Sequence, residues 1–197
     1  MCKVAAIILA AGASSRMEDH IKQVLPWGSA TLLEHAITEV SNSKVSKTYV
    51  ILGANFDAIC SKVALANYHI VYNKDWAKGL GSSIAKGVSY IMETEENYDA
   101  VLIALADQPL LSTTYFDDLL LLFKSSKNEL VSTNYGTKKG VPAIFGKRYF
   151  SLLATLDKDN GASEIIKNTV HSSINGQNNT MDIDTWDDYK ALLKIKK

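Results

Sequence analysis

A short run behind the first apolar stretch gathers residue types that hold a polyphosphate. In Leu9-Ala10-Ala11-Gly12-Ala13-Ser14-Ser15-Arg16-Met17 the small residues let the backbone come close to a ligand. Gly12 has access to dihedrals that L-residues avoid. Consecutive backbone N–H groups in such a loop cradle phosphate oxygens, with Ser14 and Ser15 adding hydroxyl donors. Arg16 and Lys22 bring positive charge, the first as a planar fork and the second as a point charge. The run lacks the Gly-Lys-Ser/Thr ending of a P-loop and the spaced glycines of a dinucleotide fingerprint. On spacing alone it is either an anion cradle or an ordinary strand-to-helix turn with solvated basic side chains.

Two further segments carry compatible chemistry. Asp107 follows the apolar run Val101–Leu105 and precedes Pro109. A carboxylate there is well placed for Mg2+, an ion that favours oxygen ligands and substrate phosphates. A turn or capping role before Ser112 accounts for Asp107 equally well. Gly79–Gly87 opens a helix, where glycines 79 and 81 permit close backbone approach and the helix N-terminus can donate to base or ribose oxygens. The plainer reading is that Ser82 or Ser83 simply caps that helix. The histidines at 20, 35, 69 and 171 are scattered without metal-ligand spacing, and only His20 falls near the first loop.

These residues need a scaffold that brings strand ends together. Val4–Leu9, Thr48–Leu52, His69–Tyr72 and Val101–Leu105 are strand-length and apolar, while Leu32–Val40, Ala58–Leu65 and Ser82–Met92 carry apolar residues at helical spacing. Ser112–Phe123 adds a helix with Ser112 as its N-cap. This alternation predicts an α/β fold: a Rossmann-like three-layer sandwich whose mainly parallel sheet has helices on both faces. Ligands in such sheets bind beyond the carboxyl ends of strands, where the first loop and Asp107 both fall. After residue 125 the rhythm changes. Short strands at Leu130–Thr133 and Ala143–Phe145 flank the turn-like Tyr135–Gly140, and helices follow at Phe150–Leu156 and Ala162–Asn168. A polar loop (Ile174–Asn179), a last strand around Thr180–Ile183 and a helix from Trp186 complete the chain, which is expected to form one domain over residues 1–197.

Bulk composition excludes several classes. Hydrophobic residues make up 47% and charged residues 21% of 197, the balance of a globular chain. Lys+Arg and Asp+Glu are 21 each, so no bulk charge draws the chain to nucleic acid or an anionic membrane. Cys2 and Cys60 are too few for a metal cluster or a disulfide framework and read as reduced thiols. The first apolar run is too short for a membrane span and lacks the build of a signal peptide, so a cytoplasmic location is expected.

The loop Leu9–Met17 with Lys22 is followed by Gln23-Val24-Leu25-Pro26-Trp27-Gly28, Gly79–Gly87, Asp107-Gln108-Pro109, Gly140-Val141-Pro142-Ala143 and Asp182-Ile183-Asp184-Thr185. In this order, across nearly the whole chain, these segments resemble the MobA-like nucleotidyltransferases. Ala10-Ala11-Gly12 and Gln108 look more similar to the molybdenum cofactor cytidylyltransferases than to the guanylyltransferases. The resemblance implies a nucleotide-diphospho-sugar-transferase-like fold, with residues 1–125 as a nucleotide-binding half and 126–197 as an acceptor-side half. It implies a Mg2+-dependent transfer from a nucleoside triphosphate, CTP favoured, to a phosphorylated acceptor, the molybdopterin cofactor, with transient contact to a molybdoenzyme. Nucleotide binding is then assigned to Leu9, Ala10, Ala11, Gly12, Ala13, Ser14, Ser15, Arg16, Lys22, Gly81, Ser82, Ser83 and Asp107. Catalysis falls to Arg16, Lys22 and Asp107, and metal binding to Asp107 and Asp184. Strand alternation puts Asp182 on the face of Asp184, so either could reach the ion. Asp184 is preferred because it directly precedes the turn into the last helix, and capping of that helix is a competing role for Asp184.

Two departures stand out. Glu18-Asp19-His20-Ile21 lacks the family's glycine after Met and is one residue longer before Lys22. In Leu156–Ala162, a further family motif near the acceptor, Lys158 and Ser163 replace the usual Gly and Arg. Lys138, Lys139 and Arg148 are candidates to supply the missing charge, though a solvated basic surface explains each. Trp27 could line a pocket or simply pack. The rival readings are a sugar- or polyol-phosphate nucleotidyltransferase of the same fold and a non-catalytic accessory protein for the molybdenum cofactor.

Overall fold

The computed structural model describes residues 2–18, 20–176 and 181–195. Its elements run β1 (Val4–Ala10), β2 (Pro26–Trp27), β3 (Ala30–Thr31), α1 (Leu32–Ser41), β4 (Lys47–Leu52), α2 (Phe56–Cys60), β5 (His69–Tyr72) and α3 (Leu80–Glu93). Then come β6 (Ala100–Leu105), α4 (Thr113–Ser125), β7 (Leu130–Asn134), β8 (Lys139–Gly146), α5 (Phe150–Leu153), α6 (Ser163–Lys167), β9 (Ser172–Asn175) and α7 (Trp186–Ile195).

The sheet order is β5-β4-β1-β6-β8-β7-β9, and β8 runs opposite to the strands on either side. Both halves of the chain contribute to this one sheet. Every residue of β1 is buried, because the strand is central and covered on both sides. Val4, Ala6, Ile8 and Ala10 face a layer that includes Leu33, Ile37, Phe116 and Leu119 of α1 and α4. Ala5, Ile7 and Leu9 face Ile84 and Val88 of α3, with Leu153 and Ile166 behind β8. This period-two division of one apolar strand is what a doubly covered parallel sheet requires.

From β1 the chain moves outward through β4 to β5, then returns to place β6 on the other side of β1. The carboxyl ends of β1 and β6 therefore flank a switch point, the place where open α/β sheets hold ligands.

The expected elements differ from this architecture in a few places. The helix expected at Ala58–Leu65 is only Phe56–Cys60, and it begins after Asn55, which sits in the left-handed region at φ 59°. Met181–Asp184 is irregular rather than a strand, and Thr180 lies outside the described residues. The strand at that edge is β9, Ser172–Asn175, so Ile174 and Asn175 leave the expected polar loop; Gln177, Asn178 and Asn179 lie outside the described residues. The small β2–β3 hairpin had no sequence expectation. Among the described residues no helix is long and apolar enough to cross a membrane.

Candidate active site

The loop after β1 is held open from beneath by Gln23. This side chain is 4% exposed, and its amide donates to the carbonyls of Ala10 (2.9 Å) and Gly12 (3.1 Å). Its own oxygen accepts from Ser14 Oγ at 3.2 Å, and the same hydroxyl accepts the Lys22 N–H at 3.0 Å. With two carbonyls turned toward Gln23, the loop folds around one buried amide. Ser14, at φ 58°, makes the left-handed turn that the sequence suggested for Gly12. Gly12 serves differently: a methyl group built there would meet nothing within 4 Å, so it keeps the loop surface clear.

Above this loop lies a cavity of about 480 Å3. Its walls include Leu9, Ala10, Ala11, Gly12, Ala13, Ser14, Arg16 and Lys22 from the first segment, Ser83 from α3, and Asp107 and Asp184. Lys22 Nζ stands 2.7 Å from Asp107 Oδ2 and 3.6 Å from Asp184 Oδ1, and Arg16 reaches Asp184 Oδ2 at 3.5 Å. Two acids distant from the loop in sequence thus meet its two cations.

Backbone bonds fix that meeting. The Ala106 N–H donates to the Leu9 carbonyl, and the Ile183 N–H donates to the Asp107 carbonyl, stitching three segments side by side. Ile183 is fully buried against Met17, Trp27 and Leu192, so Asp182 and Asp184 on either side of it turn to the cavity. Asp184 is not the cap of α7. Thr185 and Asp188 hold each other there, the Thr185 hydroxyl accepting the Asp188 N–H while the Asp188 carboxylate accepts from Thr185. The Thr185 hydroxyl and backbone N–H hold the Asp188 carboxyl below its ordinary range. The Asp184 side chain is left for the cavity.

Asp182 is bound differently. Gln108 Nε2 donates to it at 2.7 Å and to the Tyr135 hydroxyl at 2.9 Å. Burial, reinforced by Asp107, pushes the Asp182 carboxyl above the ordinary range. Asp107 Oδ1 is buried and, among the described residues, has no hydrogen-bond partner. Such an orphan acceptor costs about 1–3 kcal/mol in a finished structure, and a cation or a donor would relieve it.

Three of the expected nucleotide contacts stand off the cavity. Ser15 is exposed beside it. Ser82 is buried, donating to the carbonyls of Asp75 and Gly79 and accepting from Asn73. Gly81 donates its N–H to the Lys158 carbonyl, and a Cβ on Gly81 would lie 2.5 Å from that oxygen. The glycines at 79 and 81 therefore admit the chain's own 157–159 segment, which their spacing alone could not distinguish from a ligand.

The remaining candidates sort by position. Lys138 and Lys139 line a second cavity of about 200 Å3 beside Gln108, Tyr135 and Asp182. Arg148 is at the wrong end of the sheet: Gly146 pairs with Ala100 at the start of β6, and Arg148 forms an ion pair with Glu129 at 2.7 Å. Trp27 packs in the core at 3% exposure. His20 stacks on Trp186, ring centroids 4.3 Å apart, which anchors the lengthened 18–21 loop on α7; Asp19 of that loop lies outside the described residues. Asp182 lines the cavity together with Asp184, as strand alternation suggested, whereas no role at the site was expected of Gln23. The only hint for Gln23 was a polar side chain directly after Lys22.

Comparison with known proteins shows the family and the fold. Residues 6–174 match the model of the MobA-like NTP transferase domain. Nicotine blue oxidoreductase of Paenarthrobacter nicotinovorans is 36% identical over 118 residues, 60% of this chain and 56% of that protein, so the match spans little more than half of that relative's length. The crystal structure of Rv0371c from Mycobacterium tuberculosis superimposes with a TM-score of 0.83 at 23% identity, covering 98% of both chains. That protein is also known in complex with manganese. Molybdopterin-guanine dinucleotide biosynthesis protein A of Archaeoglobus fulgidus shares the fold at a TM-score of 0.72 and 12% identity, covering 98% of both chains.

Proposed function

Because this chain belongs to the family of MobA-like NTP transferase domains, we propose that it moves a nucleoside monophosphate from a triphosphate, CTP by preference, to the terminal phosphate of a molybdopterin-type acceptor. An acceptor phosphate oxygen attacks the α-phosphorus, the bond to the β-phosphate bridging oxygen breaks, and pyrophosphate leaves. The attacking oxygen is already anionic at neutral pH, so no dedicated general base is required.

One observation carries this reading: Lys22 and Arg16, on the loop after β1, converge with Asp107 and Asp184 in a single cavity. The loop backbone and the two cations would hold the triphosphate, and pre-placed positive charge is most effective where charge develops on the departing pyrophosphate. Asp107 and Asp184 suit Mg2+, which takes one or two carboxylates together with substrate phosphates. The unpartnered Oδ1 of Asp107 supports that fit. Among the described residues no group of three or more acids, histidines or cysteines forms a metal cage. When bound, such an ion would neutralise phosphate charge. The adjoining cavity at Gln108, Tyr135, Lys138 and Lys139 supplies room for an acceptor, sharing Leu80, Leu105 and Asp182 with the first.

The test has two stages. A triphosphate that binds only the native state raises its melting temperature, so CTP, GTP, ATP and UTP are compared with Mg2+ present, CTP being expected to stabilise most. Pyrophosphate release is then followed at fixed CTP with molybdopterin or a sugar phosphate as acceptor. Stabilisation without pyrophosphate would point to a carrier. No stabilisation by any triphosphate would remove the proposal altogether.

A further inference from the structure

Two chemically distinct groups of residues line the main cavity. Lys22, Arg16, Asp107 and Asp184 are joined by ion pairs. Trp76, Gly79, Leu80, Ser83 and Asp159 include no lysine or arginine, and Gly79 lies against Asp159. Asp159 comes from the segment between α5 and α6, which the sequence associated with the acceptor, yet it lines the same cavity as the loop after β1. Its carboxylate is exposed and makes no hydrogen bond or ion pair among the described residues.

The fold makes room for this group. Gly79 has φ 104°, and a Cβ there would fall 2.3 Å from Asp159 Oδ1. The neighbouring Gly81 N–H holds the Lys158 carbonyl at 2.8 Å, which fixes the backbone carrying Asp159 against the start of α3. A carboxylate so placed would repel a polyphosphate, and an ionised carboxylate accepts hydrogen bonds only. What it can receive in this cavity is an uncharged ligand portion with N–H or O–H donors.

Resting on the proposed function, we infer that Asp159 is a specificity-determining residue that accepts a hydrogen bond from the nucleoside, either from its ribose hydroxyls or from an exocyclic amine. With the triphosphate held by Lys22 and Arg16, the nucleoside is left to the part of the lining formed by Trp76 and Gly79, and Asp159 meets it there. Uracil lacks the exocyclic amine that cytosine, adenine and guanine carry. This residue would therefore help to reject UTP if the amine is the donor.

The experiment measures Mg2+-dependent binding of CTP, GTP, ATP, UTP, 2′,3′-dideoxy-CTP and inorganic tripolyphosphate to the wild type, Asp159→Ala and Asp159→Asn by calorimetry. Asp159→Ala should weaken the tightest-binding nucleoside triphosphate by about 10- to 100-fold, the usual value of a hydrogen bond to a charged group. It should leave tripolyphosphate within about threefold. Asp159→Asn, which keeps an acceptor oxygen, should recover part of the loss. If the ribose is the donor, the alanine variant no longer separates CTP from its dideoxy analogue; if the amine is, it no longer separates CTP from UTP. Nucleotide affinity that is unchanged or improved in Asp159→Ala overturns the inference, as does tripolyphosphate affinity falling in step with the nucleotide. A wild type that binds tripolyphosphate as tightly as every nucleotide overturns it too, while leaving the proposed site standing. A wild type that binds none of the probes removes both.

Discussion

Lys22 Nζ lies between Asp107 Oδ2 and Asp184 Oδ1, at 2.7 and 3.6 Å, and one ammonium thereby bridges the carboxyl end of β6 and the segment before α7. Its side chain is 16% exposed and that of Asp107 21%, so the pair is only partly screened by water. The two acids face each other across a cation that belongs to the protein.

This arrangement makes opposite predictions for two measurements on Lys22→Ala. Removing the ammonium leaves the carboxylates uncompensated, and an opposite charge within a few ångströms is what they then lack. Affinity for Mn2+ without nucleotide should rise several-fold by calorimetry, while turnover falls at least about 10²-fold, the usual cost of a lost electrostatic donor. A variant with weaker metal binding and near-normal turnover would place Lys22 outside the site.

Asp107→Ala should abolish metal-dependent turnover while the circular dichroism spectrum stays that of the wild type. The side chain stabilises little on its own account, since one oxygen is unpartnered and the other is bound to Lys22. Activity persisting in this variant would remove Asp107 from the chemistry. Arg16 is far more exposed, at 70%, and its contact with Asp184 at 3.5 Å is loose. Arg16→Ala should leave stability within about 0.5 kcal/mol, as expected for a surface change, yet lower turnover at least about 10²-fold. Turnover within a few-fold of wild type would show that the loop does not embrace the polyphosphate.

Gln23→Ala tests the brace beneath the loop. Its amide satisfies the Ala10 and Gly12 carbonyls and the Ser14 hydroxyl inside the protein. Stranding these partners should cost about 2–4 kcal/mol in urea unfolding. The nucleotide KM should rise more than kcat falls, because the loop that binds is loosened while Lys22 and Asp107 remain. Unaltered stability would mean that water replaces the amide without loss.

The parts of this picture that were legible in the sequence are those governed by local periodicity. β1, β4, β5 and β6 are short apolar runs, and their ends agree with expectation to within about one residue. For β1, β4 and β6 the reason is burial on both faces, which demands unbroken apolar sequence; β5 is the edge strand, and only Val71 in it is buried. Ser112 caps α4 as expected, its hydroxyl accepting the Tyr115 N–H. The parts set by long-range contact were not legible. Met181–Asp184 has the alternation of a strand, and Ile183 is indeed inward, but among the described residues no strand pairs with it. Arg148 was a plausible cation until the direction of β8 carried it to the far end of the sheet. The role of Gln23 depends on which carbonyls turn inward, and that information is tertiary.

Gly81→Ala separates the two meanings of a glycine at a helix start. If the residue were small to let a nucleotide approach, alanine would weaken binding and leave the folded state untouched. The structure instead puts the Lys158 carbonyl 2.5 Å and its backbone nitrogen 2.9 Å from where that methyl would sit. Both belong to backbone, which cannot swing away as the end of a flexible side chain can. The 157–159 segment must retreat, stretching the bond from the Gly81 N–H to the Lys158 carbonyl. Overpacking of this kind costs about 1–3 kcal/mol, lowering the melting temperature by several degrees for a chain of this length. Retreat also carries Asp159 away from the cavity, so nucleotide affinity should fall together with stability. Weakened nucleotide binding with an unchanged melting temperature would return Gly81 to the ligand-contact role that its spacing first suggested.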